Sequence, residues 1–78
     1  EIKVKYFGSI AEETGKAEET IALHNGISEI QDFIAFIFKK YGLIDEGPIQ
    51  VAINQVIQNK GRIQCGDEVA FLPPYAGG

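Results

Sequence analysis

The chain has 78 residues, of which 45% are apolar, and its seven basic and eleven acidic residues give a formal net charge of −4. This length fits one domain with a single compact core and leaves no room for a second domain. The acidic balance, with no basic cluster beyond Lys39 and Lys40, makes nucleic acid an unsuitable partner.

The single cysteine, Cys65, excludes an internal disulfide and a cysteine-rich zinc site, which fits a reducing compartment. The longest apolar-rich stretch, residues 27–38, is interrupted by polar and charged residues. It is therefore too polar for a membrane span, and no apolar run follows a basic start as in a signal peptide. We expect a soluble, cytoplasmic protein without a membrane partner.

The first element is a strand over residues 2–7, where apolar and polar side chains alternate. Its core-facing side chains are Ile2, Val4 and Tyr6. Phe7 falls on the opposite, solvent-facing side of this pattern. Gly8 then breaks the strand, so a different element is expected to begin there.

A short helix and a second strand follow. Ser9 and Glu12 have the spacing of a capping box, which predicts a helix that begins at this serine and ends at Gly15. Residues 19–23 show a weaker alternation, which predicts a strand that pairs with the first strand and ends at a turn over residues 25–26.

The main helix is bounded by a second capping box, Ser28 with Gln31, and by Gly42, a typical C-terminal stop. Between these positions apolar residues recur at helical spacing: Ile30, Phe33, Ile34, Ile37 and Tyr41. Phe36 and Phe38 lie off this stripe. The helix is therefore either covered on more than one side or has exposed aromatic residues.

Three further strands are predicted in the C-terminal third. Residues 49–54 alternate cleanly, Val56–Ile57 is a short fourth strand, and residues 69–72 form the last strand, which Pro73 and Pro74 end. The order strand, short helix, strand, long helix and then strands predicts an α+β domain. We expect a ubiquitin-like β-grasp over residues 1–78, with a mixed sheet packed on the long helix and a flexible Gly-Gly tail at residues 73–78.

The side chains of the predicted body offer little catalytic chemistry. His24 is the only histidine, and no catalytic triad or metal site can be assembled around it, so we interpret it as a turn residue. Cys65 has no neighbouring cation to activate it, and we interpret it as a structural thiol rather than a sulfur carrier. The acidic pairs in the sequence are interpreted as solvated surface.

The tail is the remaining candidate for function. Pro73 and Pro74 stiffen the chain as it leaves the sheet, and Gly77 and Gly78 lack a Cβ, so they can pass through a narrow slot. The reactive group is the α-carboxylate of Gly78, which becomes an acyl donor once it is activated, for instance as an adenylate. A frayed chain end is the alternative. The proline stem and the predicted fold favour a carrier whose working group is this carboxylate.

Three stretches, residues 2–7, 51–55 and 66–78, carry a resemblance that spans the whole chain. The chain resembles the small, sulfur-carrying subunits of molybdopterin synthase, which are relatives of the thiamine-pathway sulfur carrier and of ubiquitin. The specific stretch is the last one, GDEVAFLPPYAGG. The resemblance implies that an adenylyltransferase, similar to ubiquitin-activating enzymes, uses ATP to activate Gly78, which then carries sulfur as a thiocarboxylate.

The resemblance also implies a second partner, the large catalytic subunit of molybdopterin synthase, in a heterotetramer. The tail would enter that subunit and donate sulfur to a precursor pterin. The chain itself would be non-catalytic and would bind no cofactor and no metal. Three alternatives stay open: a thiamine-pathway sulfur carrier, a ubiquitin-like protein modifier, and a plain interaction module.

The predicted partner-binding surface lies beside the tail. If Val69 and Phe71 face the core, alternation places Ala70 and Leu72 on the open face of the sheet. Ala52 of the third strand and Phe7 of the first are expected on the same face. The tail residues extend this surface: Pro73, Pro74, Tyr75 and Ala76. The alternative for Phe7 is that its side chain closes the end of the core.

Overall fold

A computed structural model describes residues 1–23, 26–43, 50–58 and 60–72. In chain order the elements are β1 (Ile2–Tyr6), α1 (Gly8–Thr14), β2 (Glu18–Ile21), α2 (Ile30–Tyr41), β3 (Gln50–Ile53), β4 (Val56–Ile57) and β5 (Glu68–Leu72). The predictions made for His24, for residue 25, for residue 49 and for the tail at residues 73–78 lie outside the described residues.

The described strands form one mixed sheet in the order β2-β1-β5-β3-β4. β1 pairs antiparallel with β2 and parallel with β5, and β3 pairs antiparallel with both β5 and β4. Parallel neighbours need a long crossover connection, and α2 is part of the crossover that joins β1 to β5. The predicted α+β domain with a mixed sheet and one long helix is confirmed.

The core lies between the sheet and α2. Its most deeply buried large side chains are Phe33, Phe71, Ile2, Ile30, Ile37, Val4 and Val69. The predicted helical stripe therefore faces inward, and Phe36 and Phe38 are also partly buried against the same cluster. The helix is covered on more than one side. Burial of each large apolar side chain contributes about 1.5 to 3 kcal/mol to stability.

The start of α1 differs from the prediction. The helix begins at Gly8, and the preceding Phe7 makes no side-chain capping bond, so Ser9 lies inside the helix and the first capping box is wrong. Gly8 has a φ of 57°, which lets the chain turn from β1 directly into the helix. The predicted end is confirmed, because Gly15 caps the helix in the left-handed conformation.

The second capping box is wrong as well. α2 begins at Ile30 after Glu29, which makes no side-chain capping bond. Instead, the neighbouring segment supplies the partners: the Ile30 N–H donates to the Gly61 carbonyl at 2.9 Å, and the Ile63 N–H donates to the Ser28 carbonyl at 3.0 Å. Because the Ile30 N–H donates to a residue far away in the chain, the residues around the start of α2 give no sequence signal for this bond.

Several strand boundaries also shift by one or two residues: β1 ends at Tyr6 rather than residue 7, β2 begins at Glu18 rather than residue 19, and β3 ends at Ile53 rather than residue 54. β2 ends at Ile21, before the predicted end at residue 23, and β5 begins one residue early, at Glu68. Such shifts leave the faces of the strands unchanged, since the side-chain alternation is preserved. Among the described residues, no helix has the length and the apolar character that a membrane crossing requires.

Candidate functional site

The open face is the side of the sheet opposite α2, and the strand register determines which side chains share it. These are Thr20 and Glu18 of β2, Lys3 and Lys5 of β1, Glu68, Ala70 and Leu72 of β5, Gln50 and Ala52 of β3, and Ile57 of β4. Charged and polar residues occupy the half beside β2. Apart from Gln50, which pairs with Leu72, apolar residues occupy the half that runs from the C-terminal end of β5 toward β4.

Phe7 belongs to the apolar half of the open face. Its backbone is extended, with φ −124° and ψ 152°, and its N–H donates to the Phe71 carbonyl at 3.2 Å. The alternation of β1 therefore continues through Phe7 and places it beside Leu72 in the parallel pair. The Phe7 side chain is 45% exposed and lies outside the core cluster, so the alternative that it closes the core is wrong.

Ala52 lies on the open face as predicted, but it is buried rather than exposed. Its small side chain sits between two cross-strand neighbours, Ala70 and Ile57, which shield it. The predicted alternation of faces along this strand is confirmed, but burial does not follow it, since Val51, Ala52 and Ile53 are all buried. Ala52 offers little contact area to a partner.

Ile57 is a surface residue that the sequence reasoning missed. It pairs with Ala52 and is 56% exposed, which places a large apolar side chain on the open face. A two-residue strand has no periodicity from which its orientation could be predicted. The open-face patch consists of Phe7, Ala52, Ile57, Ala70 and Leu72. Leu72 is half-buried and is the residue after which the tail begins.

Asn54 and Gln55 form the turn between β3 and β4, and both have positive φ, 52° and 72°. Asn54 was predicted to lie in the strand, and this prediction was wrong. Asparagine tolerates positive φ and is common in turns, so the residue type itself was a signal for the turn. Its side chain donates to the Asp67 carboxylate at 3.1 Å and accepts from the Glu68 N–H at 3.0 Å. These bonds fix the hairpin to the start of β5.

On the opposite side of the sheet lies the Glu19 cluster, which consists of Glu19, Tyr6, Tyr41 and Lys16. The Tyr6 hydroxyl donates to Glu19 Oε2 at 2.6 Å, Lys16 Nζ donates to Oε1 at 3.0 Å, and the Tyr41 hydroxyl also donates to Oε2. Burial alone raises the pKa of Glu19, but the three hydrogen bonds and the positive charge of Lys16 together outweigh burial, so the pKa lies below its usual range. Burial and the adjacent carboxylate raise the pKa of Tyr6.

Cys65 is exposed in the turn before β5 and is a free thiol, so the interpretation as a packed structural thiol is wrong. The turn displays the side chain to solvent because the neighbouring Gly66 has a φ of 96° and reverses the chain there.

Within the part of the chain that the structure describes, no group of three or more His, Cys, Asp or Glu residues could hold a metal ion. The open-face patch ends at Leu72, the residue after which the tail begins.

Comparison with known proteins identifies the family of the chain. The ThiS family profile matches residues 4–78. The chain belongs to the ThiS family. A molybdopterin synthase sulfur carrier subunit from Chlamydomonas reinhardtii is 35% identical, over 100% of this chain and 99% of the relative. The human protein of the same name is 34% identical, over 100% of this chain and 94% of the relative.

Solved structures support the fold of this ThiS family member. A protein described as subunit 1 of a molybdopterin converting factor from Pyrococcus furiosus has a TM-score of 0.77 and 26% identity, covering 95% of this chain and 97% of its own. A second similar structure is a complex of subunits 1 and 2 of the molybdopterin-converting factor from Helicobacter pylori. Its matching chain has a TM-score of 0.67 and 22% identity, and the match covers 99% of this chain and 97% of that chain. The predicted ubiquitin-like β-grasp is confirmed.

Proposed function

We propose that the chain is the sulfur-carrier subunit of a molybdopterin synthase and that Gly78 is its carrier residue. The observation that carries the proposal is the 35% identity to a curated relative of that name, over all of this chain and 99% of the relative. The family profile extends through Gly77 and Gly78 as well. Neither glycine has a side chain to react, so the α-carboxylate is the working group.

The chemistry begins with activation of Gly78 by an adenylyltransferase. The carboxylate attacks the α-phosphate of ATP, which forms an acyl adenylate and releases pyrophosphate. A sulfur donor at the oxidation level of sulfide then attacks the acyl carbon and displaces AMP, so that sulfur replaces one oxygen and a thiocarboxylate remains. The thiocarboxylate sulfur then bonds to a carbon of a precursor pterin, and water cleaves the bond between the sulfur and the acyl carbon, which leaves the sulfur on the pterin and returns Gly78 to a carboxylate. ATP is a substrate of the activating enzyme, and the carrier itself holds no cofactor.

The large catalytic subunit is proposed to bind the open-face patch and to receive the tail. Phe7 and Leu72 lie beside the root of the tail, so one surface can hold the carrier body while residues 73–78 extend into the partner. Contact through Pro73, Pro74, Tyr75 and Ala76 would continue this surface. Catalytic side chains then belong to the partner, and the complex is expected to be a heterotetramer.

The loading step can be tested by intact-mass measurement after incubation with ATP, the adenylyltransferase and a sulfur donor. The full chain should gain the mass expected when sulfur replaces one oxygen. Deletion of Gly78 should abolish the gain and leave the circular dichroism spectrum unchanged. Cys65→Ser is the matched control and should load normally, because the thiol is not the carrier group. Normal loading of the truncated chain would refute the proposal.

The thiamine pathway is the alternative within the same family, because its carrier shares the activation chemistry. The names of the curated relatives favour the molybdopterin branch. The two can be separated by incubating the thiocarboxylated chain with precursor pterin and each candidate large partner. Loss of sulfur only with the molybdopterin synthase subunit supports the proposal, whereas loss only with the thiamine-pathway partner contradicts it.

A further inference from the structure

The β3–β4 hairpin has two large apolar side chains in succession that are both exposed. Val56 is 59% exposed and Ile57 is 56% exposed. Val56 pairs with Ile53, whose side chain faces α2, whereas Ile57 pairs with Ala52 on the open face. The two side chains therefore project from opposite faces of the sheet. A partner lying flat on the open face would cover Ile57 and leave Val56 in water.

The backbone of β4 adds a second observation. The Gln58 N–H donates to the Val51 carbonyl at 2.9 Å, so this residue points its N–H toward β3. Adjacent residues of a strand direct their N–H and C=O groups to opposite sides. Ile57 therefore directs both groups away from β3. Among the described strands β4 is the last in the sheet order, so these groups face the outer edge that these strands form.

From these observations we infer that the large subunit adds an extended segment along the outer edge of β4. A strand in this position bonds to the N–H and C=O of Ile57 and covers Val56 and Ile57 from both sides at once. The added segment carries apolar side chains on both of its faces. The inference rests on the proposed function, since it extends the open-face patch around the sheet edge through Ile57.

A second copy of the chain is a poorer occupant of this edge. β4 has only two residues, so self-pairing would bury little beyond Val56 and Ile57 of each copy. A stable interface generally buries more than about 1,000 Å² in total. A large subunit that covers the open-face patch already buries the main interface area there. The edge of β4 then only enlarges this interface, because Ile57 belongs to both the patch and the edge.

The test measures affinity for the large subunit of molybdopterin synthase from the organism that makes this chain, by calorimetry. Val56→Thr keeps the β-branched shape and removes the apolar contact, and it should weaken binding about five- to tenfold. Ile57→Thr should weaken binding as well, and Thr20→Ala, at the opposite edge strand, should bind like the original chain. Amide exchange by NMR should show the Ile57 N–H at least about tenfold more protected in the complex.

The possible outcomes distinguish failure of the strand-addition inference from failure of the proposed function. If only Ile57→Thr weakens binding, the partner covers the open face alone and the inference is overturned while the proposed function stands. An unprotected Ile57 amide in the complex overturns strand addition in the same way. A free chain that dimerises through Val56 assigns the edge to a second copy and also overturns it. Failure of the original chain to bind overturns both proposals.

Discussion

At the scale of single residues, Gln55 carries the clearest conformational cost. Its φ of 72° lies in the left-handed region, where a side chain with a Cβ is disfavoured and glycine is not. The preceding Asn54 also has positive φ, but its side chain is used in two hydrogen bonds to β5. A two-residue hairpin turn of this type favours glycine at the second position. Gln55 therefore occupies a position where glycine would be more stable.

The prediction at this scale is that Gln55→Gly stabilises the domain. Relief of the left-handed conformation should raise the free energy of unfolding by about 0.5 to 1 kcal/mol, which corresponds to a Tm increase of about 3 to 6 °C. Differential scanning calorimetry measures the change. Gln50→Gly, in the extended backbone of β3, is the control and should lower Tm, because glycine weakens a strand. A lower Tm for Gln55→Gly would contradict the prediction.

At the scale of elements, the Glu19 cluster fastens the C-terminal end of α2 to the sheet. Tyr41 is the last residue of the helix, Tyr6 lies on β1 and Glu19 on β2, so one carboxylate joins three elements. The rings of Tyr6 and Tyr41 also meet edge to face, with centroids 5.9 Å apart. The ionised carboxylate is the state that accepts all of these bonds.

The corresponding prediction concerns acid stability. Because the folded state lowers the pKa of Glu19, its contribution is fully present above the unfolded pKa, about 4.3, and is lost as pH falls through the lower folded value. Glu19→Gln should therefore destabilise the domain by about 1 to 2 kcal/mol at pH 7 and by much less near pH 3.

Urea denaturation at both pH values measures this difference. Glu18→Gln is the matched control, since Glu18 is an exposed neighbour on the other face of β2. It should change stability little at either pH, because an exposed side chain gives up few contacts. An equal loss of stability for Glu19→Gln at pH 7 and pH 3 would show that ionisation of the carboxylate is unimportant.

At the scale of the whole molecule, the fold separates its stabilising contacts from its exposed apolar surface. α2 and the buried stripe occupy one side of the sheet, while the open-face patch occupies the other side, next to the root of the tail. Phe71 and Phe7 illustrate the separation, since the first is fully buried and the second is 45% exposed. Substitutions of the exposed patch residues should therefore affect binding far more than folding.

The molecular-scale prediction is that Phe7→Ala and Leu72→Ala each weaken binding to the large subunit. The expected loss is about 1 to 3 kcal/mol for each residue if it is a centre of the interface, with little change in Tm. Calorimetric titration and thermal unfolding measure the two quantities. Thr20→Ala, on the polar half of the open face, is the control for both.

Two results would contradict this prediction. Unchanged affinity in both patch variants would exclude this face as the interface. A large fall in Tm for Phe7→Ala would show that its side chain contributes to the core, in conflict with its exposure. Core truncation of a phenylalanine costs about 3 to 5 kcal/mol, so the two roles are easily distinguished.

The sequence by itself predicted the elements whose signal is local. The alternation of β1 and the helical stripe of α2 report which side chains are buried, and both predictions are confirmed by Val4 and Phe33. The glycines that end the helices were likewise predicted, because a left-handed residue after a helix is a local requirement. The role of Gly78 was also inferred from sequence and stays a prediction.

Only the tertiary structure decided the features that depend on distant residues. The start of α2 is fixed by hydrogen bonds to residues 61–63, the burial of Ala52 depends on its neighbours across two strands, and the exposure of Val56 follows from its place at the sheet edge. Side-chain periodicity tells which residues share a face of one element. It carries no information on which element lies next to that face, because strand order and register are set by contacts between residues far apart in the chain.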